Sequence, residues 1–144
     1  MTARELFESA MGARDRIAHL EGVIGGSAPE TGGTSALVGR SSGLGNPTAS
    51  AAIRNVSMVE SAIVERDALR AVEAECTALV RGVRAGLGAA QADVLEWYYL
   101  DAVEMFYVAS ELRVSMSTCY RMRDAALGWI DSTGAASVKA MGRA

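Results

Sequence analysis

A run of glycines divides this chain. Gly25, Gly26, Gly32, Gly33, Gly39, Gly43 and Gly45 lie among serine, threonine and alanine. Few large side chains stand there to balance the entropy lost on ordering, so residues 25–46 read as a flexible linker. A phosphate-binding loop would end in Gly-Lys-Ser/Thr, and that ending does not follow. Packed structure must therefore come from the two flanking segments.

Both flanks carry helical periodicity. Leu6, Ala10, Ala13, Ile17, Leu20 and Ile24 alternate spacings of four and three, the period of a coiled-coil seam. Thr2 and Glu5 have the spacing of a capping box, so one helix is predicted over 2–23 within an N-terminal segment 1–24. Asn46-Pro47 has the form of a helix start, with Asn capping and Pro in the first helical position. The long helix it opens is expected over 47–86, with Leu69, Val72, Cys76, Leu79 and Val83 as its seam. Upstream the apolar phase moves to Ile53, Val56, Val59 and Ile63, a drift like a stutter. The simplest packing is an antiparallel hairpin of the two helices or a dimeric bundle of them. The seam residues are then interface positions within or between subunits.

Gly86-Leu87-Gly88 marks a second boundary. Residues 89–99 predict a helix that buries Val94, Leu95, Tyr98 and Tyr99, and Leu100-Asp101-Ala102 predicts a turn. A second helix is expected over 103–112, a tight turn at Arg113-Val114, and a third helix over 116–130 capped by Ser115. Residues 87–131 thus read as a three-helix domain and 132–144 as a flexible tail. The expected fold class is all-α: an N-terminal helical hairpin or coiled-coil-like region joined to a C-terminal helix-turn-helix domain.

The stretch from Tyr107 to Arg121 carries the functional signal. A helix-turn-helix needs a small residue where its helices touch, an apolar residue three on, another in the turn, and apolar anchors on the second helix. Ala109, Leu112, Val114, Cys119 and Met122 fill those places, and Ala126, Leu127 and Ile130 continue the stripe. Ser115 then caps a helix whose exposed start offers Ser117, Thr118 and Arg121. Hydroxyls of this kind reach phosphates, and an arginine bonds a guanine edge or a phosphate. On this reading Ser115, Ser117 and Thr118 position the helix, Arg121 and Met116 contact bases, and Arg113 and Arg123 flank the DNA backbone.

Residues 87–130 resemble region 4 of sigma factors, the part that grips the −35 promoter element. The resemblance rests on Leu87, Val94-Leu95, Trp97-Tyr98-Tyr99, Val108-Ala109, Leu112, Val114-Ser115, Thr118, Tyr120-Arg121 and Ala126-Leu127. The whole chain is similar to small phage regulators of the RinA/ArpU type, which join a helical N-terminal part to such a domain. That resemblance implies a phage or prophage transcriptional activator with double-stranded DNA as its partner. Two positions depart from the pattern. Arg113 stands where the turn usually has Gly, and a left-handed backbone there would cost a non-glycine residue about 1 kcal/mol. Tyr107 stands where sigma-like sequences usually have Glu. The second helix is then apolar nearly all round. With Met105, Val108, Ala109 and Leu112 inward, Val103, Phe106 and Tyr107 turn outward as an interface strip, toward the long helix or RNA polymerase.

A net charge of −3 argues against a free-standing nucleic-acid binder. Its distribution qualifies the objection. Residues 1–88 hold 9 basic and 10 acidic side chains, 89–114 hold 1 and 5, and 115–144 hold 4 and 2. The only positive segment begins at the expected recognition helix. So few cations make few phosphate contacts, so binding is expected from a homo-oligomer, a dimer first, or beside RNA polymerase.

Cys76 and Cys119 form no CxxC pair, and with His19 as the sole histidine there is no metal-ligand spacing. Asp93 with Glu96, and Glu104 with Glu111, read as a solvated face. No catalytic site, metal or cofactor is expected, and the chain does not read as an enzyme. The start lacks the apolar core of a signal peptide, and no stretch approaches the roughly 20 apolar residues of a membrane helix. The expected setting is the cytoplasm of a bacterial host, with no membrane partner. Two alternatives stay open: a small-terminase-like DNA-packaging protein that forms rings, and an interaction module that binds RNA polymerase.

Overall fold

The computed structural model describes residues 1–26 and 47–144, with side chains in the second stretch from Arg54 onward. Residues 27–46 of the expected linker, the Asn46 cap and the Ile53 side chain lie outside the described residues. The fold is all-α, as expected, with no strand among the described residues. The elements are α1 (Ala3–Ser9), α2 (Ala13–Ile24), α3 (Pro47–Gly86), α4 (Ala89–Leu95), a π-helical turn (Glu96–Leu100), α5 (Met105–Leu112), α6 (Met116–Thr133) and α7 (Ala135–Arg143). The chain divides into two compact units, Arg16–Ala68, and Met1–Asp15 with Leu69–Ala144, and not at the expected 86–87 boundary.

In the unit Arg16–Ala68, Leu20 and Ala62 are buried, and Val56, Met58 and Val64 are exposed. Arg16 donates to both carboxylate oxygens of Glu65, at 2.7 and 3.0 Å. That hydrogen-bonded pair holds the Glu65 carboxyl below its ordinary value.

The larger unit opens on the expected capping box. The Thr2 hydroxyl accepts from the Glu5 N–H and the Glu5 carboxylate accepts from the Thr2 N–H, each at 3.2 Å. The single helix expected over 2–23 is broken, however. Gly12 takes a φ of +69° and its N–H donates to the Tyr99 carbonyl at 2.9 Å. The break shifts the helical phase, so that Ala3 and Phe7 are buried, while Leu6 is only half-buried.

The Tyr99 carbonyl lies in the π-helical turn, which splits the helix expected over 89–99. The Asp101 N–H reaches back five residues to the Glu96 carbonyl at 3.1 Å. Carbonyls released from the α-helical ladder accept from elsewhere: Trp97 takes the Val103 N–H at 2.8 Å and Tyr99 takes Gly12.

Arg14 ties this region together. Its guanidinium donates to Glu96 at 2.9 Å, Glu73 at 3.0 Å, Asp101 at 3.1 Å and the Thr77 hydroxyl at 3.4 Å. Arg84 takes Asp93 at 2.8 Å. Much of the acidity of 89–114 is therefore matched inside the unit, and Asp93 and Glu96 are structural ion pairs instead of a solvated face.

Of the two packings open to the seam, the one within the chain is seen: Cys76, Leu79 and Val83 are buried in this unit's own core, with Leu69 and Val72 half-buried. One further expectation is corrected. Residues 132–144 are not a flexible tail, because α7 forms there and seals Val138 completely. Glycine permits its docking. A Cβ on Gly82 would overlap the Val138 carbonyl, and one on Gly142 would lie 2.8 Å from the Gly82 nitrogen. Lys139 adds an ion pair to Glu75 at 2.7 Å.

Candidate nucleic-acid interface

Helices α4, α5 and α6 pack around Val94, Met105, Val108, Ala109 and Cys119. Trp97, Tyr98, Val103, Leu112, Val114 and Met122 close over this cluster. The residues expected as small contact, turn and anchor positions, Ala109, Leu112, Val114, Cys119 and Met122, all belong to it.

The connection between α5 and α6 is fixed by backbone geometry. Arg113 adopts the left-handed conformation, φ 58° and ψ 44°. Its N–H donates to the Ser110 carbonyl at 3.2 Å, and the Val114 N–H donates to Ala109 at 3.1 Å. These two bonds around a left-handed residue are a Schellman motif, whose usual apolar partner is supplied by Val114 on the cluster. Ser115 then returns to extended backbone, and its hydroxyl accepts the Thr118 N–H at 3.1 Å. The same hydroxyl donates to the Thr118 hydroxyl at 2.9 Å and lies 3.2 Å from that of Ser117. The cap stops the preceding turn and starts α6 with one of its free N–H groups satisfied.

The outer face of α6 carries Met116, Ser117, Tyr120, Arg121 and Asp124, all exposed. Arg121 reaches the Thr118 hydroxyl at 3.4 Å, leaving most of its guanidinium free. Arg113, Ser115, Met116, Ser117, Thr118 and Arg121 are thus gathered around the start of one helix, as the sequence predicts.

Arg123 departs from its expected role beside the DNA backbone. Its side chain is 16% exposed and donates to Asp124. Its guanidinium lies 4.9 Å from the Tyr120 ring centroid and 5.7 Å from that of Tyr98. It is a cation–π clamp within the fold. Asp124 also accepts from Arg4 of α1 at 2.8 Å, and this bond holds its carboxyl below the ordinary value. Sequence reasoning missed Arg4 and Asp124, because nothing local pairs residues 120 positions apart. It quoted Tyr120 only for the family pattern, although its place one turn after Met116 puts both on one face.

On α5, Phe106 and Tyr107 do face outward, 58% and 61% exposed, with ring centroids 5.4 Å apart and edge-to-face. Val103 does not. The helix begins at Met105, so Val103 lies in the preceding connection and its side chain turns onto the core cluster.

Burial pushes the Cys76 thiol up to about 12 and raises that of Cys119 as well. Among the described residues no group of His, Cys, Asp and Glu is placed to hold a metal ion. No helix among them is long and apolar enough to cross a membrane. Comparison of the chain with protein-family models, curated proteins and solved structures finds no match.

Proposed function

We propose that this chain is a phage-type transcriptional regulator that reads double-stranded DNA by laying α6 in the major groove. The observation that carries the reading is the left-handed turn at Arg113 followed by the Ser115-capped start of α6. Together they leave Ser117 and Arg121 uncovered on the first two turns. Ser115, Ser117 and Thr118 supply hydroxyls to phosphates beside the helix N-terminus, Arg121 reaches a base edge, and Arg113 approaches the backbone at the turn. Arg123 acts indirectly, by holding the Tyr98 and Tyr120 rings.

The positive charge is small, so a pair of copies on neighbouring half-sites, or one copy beside RNA polymerase in a bacterial host, gives the affinity one copy lacks. The test is fluorescence anisotropy of the full chain on a random-sequence duplex and on the duplex bound best after selection. Expected are affinity that falls linearly with the logarithm of salt, a clear preference for the selected duplex, and loss of that preference in Arg121→Ala. Equal binding of both duplexes by the unaltered chain would sink the reading. Mass in solution separates the packaging alternative, since a ring of many copies favours it and a dimer favours the regulator.

The exposed Phe106–Tyr107 pair favours a second reading, in which the domain docks on RNA polymerase through α5. Under it, Phe106→Ser abolishes polymerase binding while the thermal transition persists.

A further inference from the structure

The outer face of α6 presents two large side chains with apolar surface beside its polar groups. Met116 is 42% exposed and Tyr120 is 37% exposed, one helical turn apart on the same edge of that face. The Tyr120 ring is not loose. Arg123 lies over it at 4.9 Å and is itself anchored on Tyr98 and Asp124, so one side of the ring is covered while part of the side chain stays exposed.

The remaining polar equipment of the face is limited. Arg121 is a free cation, Ser117 a short hydroxyl, and Asp124 is engaged by Arg4 and Arg123. In the major groove, every base pair offers hydrogen-bonding edges, but the one methyl group is that of thymine. The Met116 side chain and the ring carbons of Tyr120 are the apolar groups on this face, and that methyl is their match in the groove.

We infer that Met116 and Tyr120 are specificity-determining residues that read the 5-methyl groups of thymines, beside the base contacted by Arg121. This rests on the proposed DNA-reading function and deepens it. Arg121 and Ser117 set hydrogen-bonded positions, and Met116 and Tyr120 set flanking positions at which thymine is preferred. Burying one methyl against an apolar side chain gives about fourfold in affinity.

The experiment uses the full chain. Duplexes are enriched from a random library, and each thymine of the enriched sequence is then replaced singly by uracil, which pairs identically and lacks only the methyl. The expected result is one or two positions at which uracil weakens binding about fourfold. Met116→Ala or Tyr120→Ser should remove that discrimination at its own position, while Tyr120→Phe, which keeps the ring, retains it. Met116→Ala should leave the thermal transition unchanged, and Tyr120→Ser, which also loses the Arg123 contact, should lower it slightly while Tyr120→Phe keeps it.

Enrichment without any uracil effect overturns this inference and leaves the DNA-reading function standing. A uracil effect that survives in both Met116→Ala and Tyr120→Ser overturns it too, since other residues would be the readers. Failure to enrich any sequence overturns the DNA-reading function itself.

Discussion

The ring of Phe7 in α1 lies 5.4 Å from the ring of Tyr99 in the π-helical turn, tilted at 50°, with Phe7 0% and Tyr99 1% exposed. This contact, with the Gly12-to-Tyr99 backbone bond, fixes α1 to the C-terminal helices. Truncating Phe7 removes the largest apolar side chain that α1 contributes and leaves a cavity beside Tyr99. Phe7→Ala should cost about 3–5 kcal/mol. In urea the midpoint should fall with little change of slope. A loss below about 1 kcal/mol would mean that α1 does not stay docked in solution.

The crossing of α3 and α7 makes an opposite prediction about size. A Cβ on Gly82 overlaps the Val138 carbonyl, which is backbone and cannot rotate away. Gly82→Ala should therefore destabilise by about 1–3 kcal/mol. It should speed hydrogen exchange in residues 135–143 more than in α5. Gly128, in α6, has nothing within 4 Å of an added Cβ. Gly128→Ala should accordingly stabilise by about 0.5–1 kcal/mol through helix propensity alone. If both substitutions destabilise equally, close approach is not what Gly82 supplies.

These two contacts also mark where the sequence was and was not legible. The α5–α6 turn was readable because its determinants are local: Ser115 caps a helix three residues on, and Ala109, Leu112 and Val114 satisfy fixed offsets. The left-handed Arg113 was readable as a departure from glycine. Phe7 was not, because the turn at Gly12 interrupts the helical phase, so that Phe7 takes the inward place that an unbroken helix gives to Leu6. Helix α7 was hidden because its docking depends on side chains that are missing, at Gly82 and Gly142, and periodicity counts only those present. The Arg14 node and the Arg4–Asp124 pair join residues far apart in sequence, so no local spacing links them. Arg123 looked like a phosphate ligand for the same reason.

The Arg4–Asp124 pair predicts a pH dependence. Hydrogen bonding by Arg4, seconded by Arg123, lowers the Asp124 carboxyl in the folded chain, against the opposing effect of burial. A depressed folded value means that the contribution is complete above the ordinary carboxylate value near 4. It is lost as pH falls through the lower folded value. Both partners are about half exposed, so screening limits the effect to roughly 0.2–1 kcal/mol. Arg4→Met should thus be less stable than the unaltered chain at neutral pH, and the gap should narrow in acid, below the ordinary carboxylate value. High salt should narrow it as well. A gap that is the same at neutral and acid pH would show that Arg4 acts by packing its stem, not by its charge.

Arg113 separates stability from the proposed DNA contact within one side chain. Its backbone is left-handed, at φ 58°, and the residue is exposed. Glycine adopts that conformation without the steric penalty of a Cβ, so Arg113→Gly should stabilise the fold by about 1 kcal/mol and raise the thermal midpoint. The same change removes a cation at the edge of the proposed groove contact. If Arg113 meets a phosphate, DNA affinity should fall uniformly across sequences, and the salt slope should shrink by about one. Calorimetry and anisotropy on the same preparation read the two effects independently. A higher midpoint with unchanged affinity would free Arg113 of any DNA role and leave its geometry explained. An unchanged or lower midpoint would mean that the arginine side chain makes a stabilising contact that outweighs the strain of its backbone.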